Sequence, residues 1–181
     1  MKKQALTIFL VTVAVLGITA SAGANDVHLY GKVGIVANGD YSDPFGFADR
    51  LTYHAGLDVD VVPMLQIGPE FVYQRISASE VIPGGTETLT FNLYEFFGNV
   101  TIRPNTESSL VPYGGAGIGI AHGSITGDLG DIDFTAITDN KAVFHAFGGI
   151  EFGHFLTEVE ISKIFEDGSD TRVGINFGAR F

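Results

Sequence analysis

The chain has 181 residues, 21 of them acidic against 10 basic, for a formal net charge of −11, with no cysteine and no tryptophan. Such acidity excludes nucleic acid as a partner, since phosphate contacts need a basic face. A positive mean hydropathy alongside it is not what a water-soluble acidic domain shows.

The first residues, MKKQALTIFLVTVAVLGITASAGA, combine Lys2 and Lys3 with an apolar stretch from Ala5 to Ile18 and an Ala22-Gly23-Ala24 cleavage pattern. This predicts a secretory signal peptide over residues 1–24, removed after Ala24. The apolar run is shorter than the ~20 residues a membrane helix needs. No cysteine follows it, which excludes a lipoprotein anchor. The mature chain, residues 25–181, suits one domain and holds 8 basic against 21 acidic residues. Without disulfides, it must be stabilised by other means.

Beyond the leader the dominant signal is a period of two. Val27, Leu29, Val33 and Ile35 alternate with His28, Tyr30 and Lys32; Leu51, Tyr53, Ala55, Leu57, Val59 and Val61 alternate with Thr52, His54, Asp58 and Asp60. Leu65, Ile67, Phe71 and Tyr73 alternate with Gln66, Glu70 and Gln74, although Pro69 removes a ladder donor in mid-strand. In TLTFNLYEFFGNVTI the apolar parity switches between Leu93 and Tyr94, which predicts a bulge or a change of surroundings. Val159 and Ile161 then oppose Glu158 and Glu160, and the last strand sets Val173, Ile175, Phe177, Ala179 and Phe181 against Arg172, Asn176 and Arg180.

Eight segments emerge, near 27–37, 51–61, 65–76, 89–102, 110–121, 141–152, 155–165 and 172–181, separated by 13, 3, 12, 7, 19, 2 and 6 residues. Alternating long and short gaps predict an all-β, eight-stranded antiparallel up-and-down transmembrane barrel with long external loops. Lipid leaves backbone polar groups unsatisfied, so such a sheet must close. One face is apolar, with Arg75 and Lys163 near its outer ends. The other collects a barrel-interior polar network of Lys32, Asp58, Asp60, Glu70, Glu95, Glu151, Glu158, Glu160, Arg172 and Arg180. Buried charges must pair, and Glu158 and Glu160 are expected to meet Arg172 or Arg180 on the adjacent strand. Periodicity alone does not say which face points inward, and a soluble lipocalin-like binding barrel would reverse it.

The segment VPYGGAGIGIAHG, Val111 to Gly123, resembles the P-Y-x-x-x-G-x-G stretch of the small outer-membrane β-barrels of OmpA-like, OmpX-like and opacity type. Ala116, Ile118 and Ile120 are expected on the lipid face, with Gly115, Gly117 and Gly119 inside, where they leave room for bulky neighbours. The ending, with Val173, Ile175, Phe177, Ala179 and Phe181 alternating, resembles the signal read by the barrel assembly machinery. The resemblance implies an outer-membrane location amid lipid and lipopolysaccharide. Departures are the absence of tryptophan, Pro69 in a strand, and no peptidoglycan-binding module.

The predicted external loops carry Asp40, Asp43, Asp49, Glu80, Glu87, Asp128, Asp131, Asp133, Asp139, Glu166, Asp167 and Asp170. An acidic crown of this kind suits contact with an extracellular ligand. GDLGDID lacks the spacing and closing glutamate of a calcium loop, and the histidines show no zinc spacing. His122 and Ser124 form an H-x-S pair that weakly resembles that of outer-membrane lipid A deacylases, without a glutamate close by. The expectation is a monomeric, cofactor-free and metal-free barrel with no catalytic residue and a structural or surface-contact role. The alternatives are a lipid A hydrolase using His122 and Ser124, or a lipocalin-like binder.

Overall fold

The computed structural model describes residues 26–37, 51–82, 85–104, 106, 108–129, 132–137, 139–165 and 171–181. The expected leader lies outside them, as do loop residues Asp40, Asp43, Asp49, Asp131, Glu166, Asp167 and Asp170. The strands are β1 (Val27–Val36), β2 (Leu51–Val62), β3 (Leu65–Ile82), β4 (Gly85–Ile102), β5 (Leu110–Leu129), β6 (Ile132–Ile137), β7 (Lys141–Phe152), β8 (Phe155–Ile164) and β9 (Thr171–Arg180).

All pairings are antiparallel. β1 pairs with both β2 and β9, and β4 with both β3 and β5, so the sheet closes on itself. β6 adds no further stave. It pairs with the far end of β5 at Ser124↔Ile137, and β7 takes over the same side of β5 at Ala121↔Lys141. The wall is therefore an eight-stranded up-and-down barrel, as the alternation predicts.

Its polarity is inverted relative to a soluble barrel. Ile118 and Phe155 on the outside are 73 % and 70 % exposed, whereas Glu70, Glu95, His145 and Asn176 inside are almost fully buried. An apolar exterior and polar interior rule out the lipocalin-like alternative, which requires the reverse. Ile118 and Ile120 face outward and Gly117 inward, in line with the reading of the glycine-rich segment.

Two expected loops prove to be largely strand. β3 and β4 pair without a break from Leu65↔Ile102 to Ile82↔Gly85, through most of the predicted 12-residue gap. β5 likewise runs on to Leu129, and β6 occupies part of the predicted 19-residue gap. Apolar alternation marks only the strand length that meets lipid. Past that limit the hairpins continue with both faces free to be polar, so the pattern fades while the ladder does not.

The parity switch in β4 has no bulge, since its registers with β3 and β5 are unbroken. Leu93 and Phe97 simply point inward, where they join Val72, Ala121 and Val143 in a buried apolar cluster. The irregularity lies instead in β2–β3, between Asp60 and Val62, next to Met64 with φ 76°. A residue in that left-handed region beside a bulge is a common way to turn a tight hairpin. Pro69 sits where the β2–β3 register lapses between Gly56↔Glu70 and Val59↔Ile67, so its missing donor falls at a gap in the ladder.

Glycine is needed where strands approach closely. A Cβ on Gly119 would collide with the main-chain oxygen of Phe96, whereas one on Gly98 would meet open space. Gly119→Val is expected to cost about 1–3 kcal/mol through forced backbone shifts, lowering the urea midpoint of the barrel in micelles. Gly98→Val should leave that midpoint unchanged; equal effects would show that close approach is not the reason for the glycine.

Candidate functional site: the bonded barrel interior

An eight-stranded barrel has an interior about one side chain wide, so residues from opposite walls meet in the middle. Lys32 on β1 is the hub. Its Nζ lies 2.9 Å from Glu70 Oε1 on β3 and 2.9 Å from Glu158 Oε1 on β8. The same Glu70 oxygen is 2.9 Å from His54 Nδ1, whose Nε2 is 3.0 Å from Thr52 Oγ1. Asn99 Nδ2 donates to the other Glu70 oxygen at 2.7 Å. That turns Asn99 Oδ1 toward His145, so His145 Nε2 is the donor across 2.8 Å. The His145 ring stacks on Phe97 with centroids 3.8 Å apart and 9° between planes. Asn176 on β9 donates to Glu158 Oε1 at 2.9 Å and to Glu160 Oε2 at 3.0 Å, and Tyr113 donates to Glu158 Oε2 at 3.2 Å. This belt ties together strands from every side of the barrel.

Smaller groups flank the belt. At the turn end, Arg180 donates to Gln66 Oε1 at 2.9 Å and lies 3.7 Å from Asp58 and 3.6 Å from Glu151. Arg103 clasps Glu151 with two hydrogen bonds of 3.1 and 2.7 Å. At the loop end, Arg172 pairs with Glu95 and donates to Gln74 at 3.3 Å. Two small cavities lie on either side of the belt. Tyr30, Asp58, Glu151 and Arg180 line one, with Lys32 and Glu158 at its boundary. Thr52, Glu95, Glu160 and Arg172 line the other, with His54 and Asn176 at its boundary.

The expected pairing of Glu158 and Glu160 with Arg172 or Arg180 does not occur. The β8–β9 register sets Glu158 opposite Asn176 and Ser162 opposite Arg172. The long arginines instead reach across the narrow interior to other strands. Asp60 sits at the mouth, half-exposed, where Gln66 donates to it and His28 lies 3.6 Å away. The expected network is drawn from carboxylates, lysine and arginines, and so leaves out the imidazole, amide and phenol members His54, Asn99, His145, Asn176 and Tyr113, although His54 and Asn176 already stand on the predicted polar face. His54 shares the parity of Asp58, and Asn99 that of Glu95, so the clue was present. Arg103 lies past the end of β4, where alternation has no reach.

His122 and Ser124 are on the outer face of β5. His122 Nδ1 is 3.0 Å from Asn140 Oδ1, while Ser124 lies opposite Asn92 and Ile137. Among the described residues no hydrogen bond joins His122 to Ser124. On β9, Ile175, Phe177 and Phe181 point outward, and Phe181 exchanges main-chain hydrogen bonds of 2.9 and 2.8 Å with Leu29, where β9 meets β1.

An inside-out eight-stranded barrel with a side-chain-filled core is the architecture of the small outer-membrane β-barrels. No family model and no curated protein sequence matches the chain. Among solved structures the fold is similar to Neisserial surface protein A, at TM-score 0.58 and 14% identity over 85% of this chain and 95% of that one. It is also similar to Ail, the attachment invasion locus protein of Yersinia pestis, in complex with the heparin analogue sucrose octasulfate, at TM-score 0.51 and 14% identity over 87% and 97% of the two chains. At such identities the likeness is one of fold.

Lys32→Met leaves Glu70 and Glu158 buried without their shared cation. Breaking a buried pair from one side costs about 3–5 kcal/mol, so the urea unfolding midpoint in micelles is expected to fall sharply. Adding Glu70→Gln should recover part of the loss. An unchanged midpoint for Lys32→Met would mean the belt does not hold the barrel together.

Proposed function

We propose that this protein is a monomeric, non-catalytic outer-membrane barrel that reinforces the envelope and makes contacts with an extracellular ligand through its acidic loop end. The observation that carries this reading is the interior itself. Most of its polar groups bond to one another across the width of the barrel, which supports a structural interior over a conducting or catalytic one. What remains for recognition is the loop end, which rises on the long β3–β4 and β5–β6 hairpins. Ail, of similar fold, is named for attachment and was solved with a polyanion. The loops here carry acids at Glu80, Glu87, Asp128, Asp131, Asp133 and Asp139, so charge favours a cationic or cation-bridged partner over a heparin-like one.

Cells displaying the protein should adhere to a cell layer more than cells displaying a form with Asp128, Asp131, Asp133 and Asp139 changed to Asn, at equal amounts of heat-modifiable barrel in the outer membrane. Equal adherence would overturn the contact role. Lipid A masses should be the same with and without the protein; an acyl chain lost in a His122-dependent way would make it a hydrolase instead.

The outward row Val173, Ile175, Phe177, Ala179 and Phe181 is proposed as the address read by the barrel assembly machinery. Removing Phe181 is expected to lower the folded barrel in the outer membrane severalfold without reducing export. Phe181→Ala, which keeps the main-chain bonds to Leu29, separates the ring's part from the seam's. Full assembly of both variants would dismiss the address.

A further inference from the structure

We propose that the outer wall of β2–β5, near the loop end, carries a docking site for the phosphorylated headgroup of an outer-leaflet glycolipid. Tyr53, Tyr73, Tyr94 and His122 stand side by side on four successive strands, through the registers Tyr53↔Tyr73, Tyr73↔Tyr94 and Tyr94↔His122. The first two rings are 6.4 Å apart at 27° and the next two 5.3 Å apart at 32°. Phe71 and Phe96, with centroids 5.0 Å apart, continue the aromatic surface on the turn side. On the loop side the next outward positions are Arg75, Asn92 and Ser124, again in register.

Position and chemistry agree on the occupant. The rise from Leu65 to Tyr73, at about 3.3 Å per residue on a strand tilted by about 40°, is about 20 Å. That places the rings toward the far edge of the apolar belt, where tyrosine rings sit at headgroup depth, and Arg75 one step beyond. Arg75 is exposed, with its Nε donating to Ser77 Oγ at 3.3 Å. Its planar fork matches a phosphate group in a way that a point charge does not. Tyr73 donates to Asn92 Oδ1 at 2.9 Å, so Asn92 presents its amide nitrogen as a donor beside the guanidinium. A sugar's hydroxyls suit Asn92, Ser124 and His122, and its apolar face suits the rings.

The site is one-sided. Among the described residues the outward tyrosines are Tyr53, Tyr73 and Tyr94, all on β2–β4. Among the described residues the other exposed cation of the strand faces is Lys163 on β8, across the barrel from β3, where Phe144 and Thr171 flank it. In a strongly acidic protein, an arginine held among donors and rings against the bilayer singles out an anionic lipid. The site does not depend on the proposed contact role of the loops.

With no tryptophan in the chain, emission comes from its six tyrosines, three of which, Tyr53, Tyr73 and Tyr94, stand on this wall. Bisphosphorylated lipid A titrated into the protein in neutral-detergent micelles should give a saturable emission change. For Arg75→Gln the apparent affinity should be at least tenfold weaker, as it should for the wild type with dephosphorylated lipid A. Lys163→Gln should behave as wild type, with heat-modifiability on a gel confirming that each variant is folded. Absence of saturation, equal affinity for the two lipids, or equal losses in the Arg75 and Lys163 variants would each overturn the site.

Discussion

Hydrocarbon offers no partner to a backbone N–H or C=O, and every feature of this molecule follows from that. A sheet that meets lipid cannot afford an edge, so β1 and β9 must pair and the wall must close. Closure with eight strands fixes a bore too narrow for anything but side chains. The sequence then has two surfaces of opposite demand, and alternation along each strand meets both at once.

The narrow bore also explains how so many charges are tolerated. The carboxylates of the central belt are within reach of donors from several walls. Glu70 receives Lys32, His54 and Asn99; Glu158 receives Lys32, Asn176 and Tyr113. The amides of Asn99 and Asn176 divide the work: Asn99 links Glu70 to His145, and Asn176 joins Glu158 and Glu160, two carboxylates that would otherwise compete for one cation. Replacing such a web by an apolar core would be easy on energetic grounds. It would also remove the contrast between inside and outside that tells the strands which way to face.

Much of this was legible in the chain. Leu29, Val33 and Ile35 against His28, Tyr30 and Lys32 announce a strand with unlike faces, and Ala116, Ile118 and Ile120 were read to the correct side. The inward turn of Leu93 and Phe97 was not legible, because an apolar side chain is equally at home in lipid and in a buried cluster. Partners across the bore were also hidden. Register specifies neighbours on adjacent strands, such as Ser162 and Arg172, but the meeting of Arg172 with Glu95 depends on curvature that no local pattern encodes. The hairpin extensions past Arg75 and Asn92 escaped notice because water, unlike lipid, makes no demand for alternation.

Those extensions share a ladder. β4 and β5 remain paired out to Thr88↔Asp128, so the β3–β4 and β5–β6 hairpins rise as one continuous leaf. At the usual strand spacing, the ends of the two hairpins are held about 10 Å apart. Two prongs at a fixed separation present a partner with a surface whose ordering was completed when the barrel folded. A contact made there loses less chain entropy than one made by independent loops, and it reads a distance as well as a chemistry.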